Sequence, residues 1–170
     1  FALNYVNVRD TRHLVERIRR LLPGTYLVAG GHYATFHSDQ LLRGSASFDA
    51  IVLGEGEGPM ASLAQTPKSH WCSVAGLAWN SAGHIYHTPP MPSSPLDDLP
   101  KADRSTLTYL RSLPRSCTKV AIEASRGCSH ACNFCSIAAC QALAGETGYR
   151  RIRSSNAVAT EMASIINEWG

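Results

Sequence analysis

No stretch of this sequence approaches the roughly 18 consecutive apolar residues of a membrane-spanning helix. Its opening residues, Phe1-Ala2-Leu3-Asn4-Tyr5, lack the basic start and apolar core of a secretion signal. These two absences predict a cytoplasmic protein with no membrane span. An excess of one charge is missing too: 16 Lys and Arg stand against 13 Asp and Glu, spread along the chain apart from Arg150, Arg151 and Arg153. That balance does not call for a nucleic-acid partner, and the arginine trio reads as a solvated connector. Low-complexity tracts and internal repeats are absent as well. With 44% hydrophobic and 17% charged residues over 170 positions, disorder and fibre are excluded and a globular protein is expected. The sequence also has no initiating Met, and its first residues look like the inside of a domain, so it is expected to be a fragment of a longer protein.

What is present reads first as alternating helices and strands. Asp10 or Thr11 is placed to cap a helix with Leu14, Val15, Ile18, Leu21 and Leu22 at helical spacing, stopped by Pro23-Gly24. Tyr26-Leu27-Val28-Ala29 and Ala50-Ile51-Val52-Leu53 are short apolar runs without alternation, the pattern of strands buried on both faces of a parallel sheet. The first ends in Gly30-Gly31 and the second in Gly54-Glu55-Gly56-Glu57. A short helix fits between them over Asp39 to Arg43, and another after Gly58-Pro59. This order is doubly wound α/β, in which ligands bind outside the carboxyl ends of the strands, where both glycine pairs fall. Glycine there admits a flat ligand close to the backbone, although a strand-to-helix turn asks for glycine on its own account.

Farther along, Val74 to Trp79, the turn Asn80-Ser81-Ala82-Gly83 and His84 to His87 read as a β-hairpin. Pro89, Pro90, Pro92, Pro95 and Pro100 make an extended connector. Lys119 to Ala124 is a third strand candidate, and Val158, Met162, Ile165, Ile166 and Trp169 form the apolar stripe of a last helix capped by Ser155 or Asn156.

Of six cysteines, Cys128, Cys132 and Cys135 crowd into eight residues, Cys140 follows, and Cys72 and Cys117 lie far away. Such short spacings are poor disulfide geometry and point to metal. Three thiolates on one loop suit three irons of a [4Fe-4S] cubane with the fourth iron open to an outside ligand. Structural zinc is the competing reading, with Cys140 or His130 as the fourth ligand, and burial as inert small hydrophobes is another.

Cys128, Cys132, Phe134 and Cys135 resemble the CxxxCxΦC signature of the radical S-adenosylmethionine (radical SAM) superfamily. Glu123-Ala124-Ser125-Arg126-Gly127 looks like the end of the first barrel strand in these enzymes, and Tyr149-Arg150-Arg151-Ile152-Arg153-Ser154 like the segment before their first barrel helix. The resemblance implies that the open iron chelates the amino and carboxylate groups of S-adenosylmethionine, with Phe134 beside the adenine. An electron from a reductase or flavodoxin-type donor would then cleave the sulfonium, giving methionine and a 5'-deoxyadenosyl radical that takes hydrogen from a small-molecule substrate.

Upstream, a GGxxxT segment (Gly30, Gly31, Thr35), an FDxIVxGEGE segment (Phe48, Asp49, Ile51, Val52 and Gly54 to Glu57), Gly76-Leu77 and Leu96-Asp97-Asp98-Leu99-Pro100 precede Ser125-Arg126-Gly127-Cys128. The series resembles the cobalamin-binding subfamily of these enzymes over residues 5 to 170. It implies that Gly30, Gly31, Gly54, Glu55, Gly56 and Glu57 line the corrinoid. The DxHxxG motif of His-ligated cobalamin proteins is missing, and His32, next after the glycines, reads as a solvated or hydrogen-bonded loop residue and not as an axial ligand. The expected organisation is the C-terminal part of a Rossmann-like parallel-sheet cobalamin domain over 1–66, a hairpin and Pro-rich linker over 67–117, and the first βα unit of a truncated radical SAM barrel over 118–170. A full (β/α)8 barrel takes about 250 residues, so the chain by itself is expected to be inactive. The implied reaction is methyl transfer to an unactivated substrate centre, with oxidative ring closure of the magnesium-porphyrin type as the alternative. Outside the superfamily stand a zinc-stabilised non-catalytic module and an iron-sulfur electron carrier.

Overall fold

The computed structural model describes residues 1–44, 47–105, 119–130, 132–143 and 150–169. Cys117, Ala131, Tyr149 and the boundary expected at 117/118 lie outside the described residues, as does the side chain of Trp169. Two compact units make up the chain: Phe1–Ser93 with His130–Gly148, and Ser94–Ser129 with Tyr149–Gly170.

The first unit is built on a mixed sheet. β1 (Val28–Ala29) and β2 (Ala50–Val52) are parallel, with Val28 opposite Ala50 and Ala29 opposite Ile51. β3 (Leu77–Ser81) pairs antiparallel with β2, and β4 (His84–His87) antiparallel with β3, giving the order β1-β2-β3-β4. The sheet is therefore not wholly parallel as expected. The hairpin is hydrogen-bonded into it because β2 offers an unpaired edge and Leu77 and Ala78 have the apolar side chains to lie there, both fully buried. Outside β1, Phe1 to Leu3 add a parallel bridge at Ala2 and Gly30.

Alternation along the buried strands feeds two cores. Ala29, Ile51 and Ala78 pack with Leu3, Val15, Ala34, Leu41, Leu42 and Phe48 on one face. Ala50, Val52, Leu77 and Trp79 pack with Leu63, Trp71 and Val74 on the other. The helices supply these layers: α1 (Val8–Leu21), α2 (His32–Phe36), α3 (Ser38–Leu41) and α4 (Glu57–Gln65). α1 begins three residues ahead of the expected cap, at Asn7, where the Asn4 side chain accepts from Val6 and Asn7 amides and braces the entering turn. Only Val15 of its stripe is fully buried, and Leu14, Leu21 and Leu22 are exposed. A sheet this narrow covers little more than one line of a helix.

Asp49 pegs the amino ends of the two parallel strands. Its carboxylate accepts the Leu27 amide at 2.8 Å, pairs with the Arg19 guanidinium and lies 3.7 Å from Lys68 Nζ.

In the second unit, β5 (Ser125–Gly127) pairs antiparallel with β6 (Arg150–Ile152), and α6 (Ser155–Trp169) follows. The strand expected over Lys119 to Ala124 falls instead on Ser125–Gly127. The carbonyls of Ala121 and Glu123 are taken by the side chains of Arg104 and Arg153, so no ladder forms on them among the described residues. α6 also departs from its stripe: Met162 and Ile166 are exposed, whereas Glu161 is 4% exposed. Two arginines account for this. Glu161 Oε1 accepts from Arg104 Nη2 at 2.7 Å and Oε2 from Arg153 Nη1 at 2.5 Å.

The Arg153 hydrogen bond, aided by Arg104 and opposed by burial, holds the Glu161 carboxyl below its ordinary value of 4.5. A depressed carboxylate contributes stability that is present above the ordinary value and lost as pH falls through the folded one. Thermal melts of the chain over a descending acid series are expected to lose stability in that window, and Glu161→Gln to flatten that part of the profile. Removing one partner of a buried pair of this kind costs about 3–5 kcal/mol.

Candidate functional site

Because β1 and β2 are parallel and in register, the loops that follow them leave the same sheet edge. Gly31 and Gly54 are glycines that the backbone requires. Gly31 sits at φ 91°, ψ 175°, a region open essentially to glycine alone, and a Cβ there would lie 2.9 Å from the carbonyl oxygen of Leu3. Gly54 has φ 74°. Gly30 and Gly56 are different. Neither has a positive φ, and a Cβ would meet nothing nearer than Val52 at 3.5 Å or 4.0 Å, ordinary contact distances. The backbone conformation does not demand glycine at either position, and the Gly30 amide and carbonyl are both taken, by Phe1 and Leu3. Glu55 is half-buried, and Glu57 is exposed on the first turn of α4.

One buried hydroxyl ties the two loops together. Thr35 Oγ1 donates to the Gly31 carbonyl at 3.0 Å and accepts the Gly54 amide at 3.1 Å. Sequence reasoning quoted Thr35 inside GGxxxT without giving it a task, although its i+4 spacing from Gly31 on a helix was the available signal. Thr35→Val is expected to remove both bonds at similar volume and lower stability by about 1–3 kcal/mol in a urea titration, with Thr35→Ser retaining most of it.

β5 leads into the cysteine loop through Gly127, at φ 85°. Cys128 and Cys135 are half-buried and Cys132 is exposed. A turn closes between them, with the Cys135 amide donating to the Cys132 carbonyl at 3.0 Å, and α5 (Ser136–Leu143) starts at the next residue. None of the five described cysteines is in a disulfide. Among the described residues no three His, Cys, Asp or Glu side chains converge on one point. Phe134 is 93% exposed, so its ring is not part of a core. Cys140 lies half-buried on α5, and desolvation pushes its thiol above the ordinary value, a poor setting for a thiolate ligand.

Within the first unit, the end of the cysteine segment meets the glycine edge. Ser136, next after Cys135, has its hydroxyl 3.3 Å from Nδ1 of His32, next after Gly31. A separate hollow of about 690 Å3, bordered by Arg12, Glu16, Asp39, Gln40 and Arg43, contains none of the residues singled out from the sequence.

Asp97 gives the Leu96-Asp97-Asp98-Leu99-Pro100 segment its chemistry, which the sequence did not reveal. Its carboxylate oxygens accept the Ser154 amide at 3.1 and 3.0 Å, just ahead of α6. The segment is thus an anchored piece of the second unit.

No family model matches the chain. Curated relatives do. The anaerobic magnesium-protoporphyrin IX monomethyl ester cyclase of Synechocystis is 31% identical over 121 residues, 69% of this chain and 24% of the cyclase. The hopanoid C-3 methylase of Methylococcus capsulatus is 34% identical over 143 residues, 80% of this chain and 27% of the methylase. The chain thus spans about a quarter of the length of the curated relatives it matches. Among solved structures, the radical S-adenosylmethionine methyltransferase TsrM of Kitasatospora setae, with cobalamin and a [4Fe-4S] cluster bound, shares the fold with a TM-score of 0.66 at 19% identity, covering 95% of this chain and 32% of TsrM. The proteins that this part of the chain is similar to are cobalamin-dependent radical S-adenosylmethionine enzymes.

Proposed function

We propose that the chain is the cofactor-joining portion of a cobalamin-dependent radical SAM methyltransferase, carrying the corrinoid edge and the cluster loop in one piece. The observation that carries this reading is the meeting of His32 and Ser136, which brings the loop after Gly31 against the residue after Cys135. An enzyme passing a group between two cofactors needs them adjacent. Glycines at both strand ends, with open space over Gly54, fit a flat macrocycle's edge, and Thr35 keeps the two loops at a fixed separation. Methyl transfer is preferred to ring closure because a methylase and a methyltransferase both stand among the relatives.

In this reading Cys128, Cys132 and Cys135 supply three thiolates, and Phe134 offers its exposed ring to the adenine of S-adenosylmethionine. Their thiols fit the cluster by chemistry: partly or fully accessible and within eight residues. Ligation itself would draw them together, as it does in other sites where metal binding completes local folding. When bound, the reduced cluster supplies the electron that cleaves S-adenosylmethionine, and cobalamin carries the methyl group. Gly127 and the Cys132–Cys135 turn present the thiols; the glycine edge orients the corrinoid; the β1–β2 core behind it excludes water. Glu55 and Glu57 border that edge. A small-molecule substrate and a reductase or flavodoxin-type electron donor complete the scheme.

Anaerobic reconstitution with iron and sulfide, followed by electron paramagnetic resonance of the dithionite-reduced chain with and without S-adenosylmethionine, tests the reading. Uptake of about four irons and a signal that shifts on adding S-adenosylmethionine are expected. Tightly held zinc, or a cluster indifferent to S-adenosylmethionine, would return the structural-module or electron-carrier reading.

A further inference from the structure

The second unit holds an arrangement that the cofactor reading does not use. Glu161, the most buried acidic residue described, receives one guanidinium on each carboxylate oxygen. Both arginines have a second target. Arg104 Nη2 also donates to the Ala121 carbonyl at 3.0 Å, and Arg153 Nη1 to the Glu123 carbonyl at 2.9 Å. The Arg153 amide adds a bond to the Ala124 carbonyl at 2.9 Å. All three carbonyls belong to the segment that runs through β5 into Cys128.

Charge and burial explain why a carboxylate is needed. The side chains of Arg104, Glu161 and Arg153 are 13%, 6% and 12% exposed. Two guanidiniums this close repel one another when water is excluded, and backbone carbonyls alone supply only dipoles. A carboxylate between them neutralises the repulsion and, with two acceptor oxygens, fixes both fork geometries at once. Asp97 faces the outer side of the set: Arg153 Nε is buried without a hydrogen-bond partner, its nearest anion being Asp97 Oδ1 at 3.9 Å.

The geometry points to Glu161 as a positioning residue for the cysteine loop, acting through Arg104 and Arg153 on the carbonyls of Ala121 and Glu123 and so fixing the direction in which the chain enters Cys128. The functional half of this inference rests on the reading of Cys128 as a cluster ligand; the structural half does not.

The test therefore has two readouts on the intact chain. The first is amide hydrogen exchange without any cofactor, comparing wild type, Glu161→Gln and Arg153→Lys. Arg153→Lys keeps the charge but replaces the rigid, planar guanidinium whose Nη1 reaches both Glu161 and Glu123. Both variants are expected to speed exchange of the β5–β6 amides by about tenfold or more while the middle of α6 keeps its protection, a loss confined to the cysteine-loop entry. A residue with a merely structural role would loosen α6 to the same extent, and that result, or unchanged β5–β6 exchange in Arg153→Lys, overturns the proposal. Should Glu161→Gln fail to fold, Arg153→Lys decides alone. The second readout is the resonance spectrum of the reconstituted chain. Wild type without a cluster sinks the cofactor reading and leaves the exchange result standing. Wild type with a cluster, and variants with an identical spectrum and iron content, sinks the claim that Glu161 positions Cys128.

Discussion

On the proposed reading, Cys132→Ala is expected to abolish the [4Fe-4S] signal of the reconstituted chain and to leave its unfolding free energy within about 0.5 kcal/mol of wild type. Both halves follow from where the thiol is. Cys132 is exposed on the turn that ends at Cys135, so its removal leaves no cavity and no orphaned partner in the core. A cubane with three protein ligands cannot spare one, because the iron so freed is open to water and the cluster degrades. The same experiment on Cys140 separates iron from zinc. Its thiol is half-buried on α5, where desolvation raises its pKa and disfavours the thiolate, so Cys140→Ala is expected to retain the full cluster at a modest loss of stability. Metal content measured on the two variants gives the answer: if Cys140→Ala loses metal as completely as Cys132→Ala, four thiolates close the site and the zinc reading returns.

Gly31→Ala unfolds the first unit at markedly lower temperature, whereas Gly30→Ala, one residue earlier, does not. At Gly31 the backbone lies in a region that costs a non-glycine residue about 1–3 kcal/mol. The added methyl would also stand 2.9 Å from the Leu3 carbonyl oxygen and 3.2 Å from its nitrogen. Relief requires moving Leu3, whose amide bonds the Gly30 carbonyl at 2.8 Å and whose carbonyl accepts the Tyr33 amide at 3.3 Å. A total of about 3 kcal/mol or more, or roughly 10 °C in a melt, is expected. Gly30→Ala meets only Val52 at 3.5 Å and is expected to hold or slightly raise stability, because the unfolded chain loses freedom. On the proposed reading its effect is expected on cobalamin binding. Absorbance titration is expected to show at least tenfold weaker binding for Gly30→Ala, and unchanged affinity would remove Gly30 from the corrinoid edge.

The parts of this architecture that were legible in the sequence are those in which local pattern and tertiary burial agree. Ala50-Ile51-Val52 reads as a strand covered on both faces, and all three residues are buried. The hairpin turn at Asn80 to Gly83 is visible because its residues are turn formers, and the Gly83 amide does bond the Asn80 side chain. α2 was missed: five residues carry no helical period, and it forms because Gly31 turns the chain and Thr35 locks it. The stripe on α6 misled for a different reason. Apolar spacing assumes that helices bury hydrophobes, and here two arginines from distant sequence positions make a glutamate the residue to bury. Asp97 was equally invisible, since its partner Ser154 lies 57 residues away. The spacing of Cys128, Cys132 and Cys135 is written along the chain, while the network behind Cys128 is set only in space.

The peg at Asp49 has a consequence for how the first unit moves. At the amino ends of β1 and β2 a half-buried carboxylate ties a backbone amide and two cations, whereas at the carboxyl ends the two loops carry glycine and are joined to one another through one threonine hydroxyl. Anchorage so unequal makes the sheet a hinged page, bound along one margin and free to lift at the other. Amide hydrogen exchange is expected to be faster at the loop around Gly54 than at Leu27 and Asp49. A bulky rigid molecule can be admitted and released at the loose margin without the layers behind it coming apart.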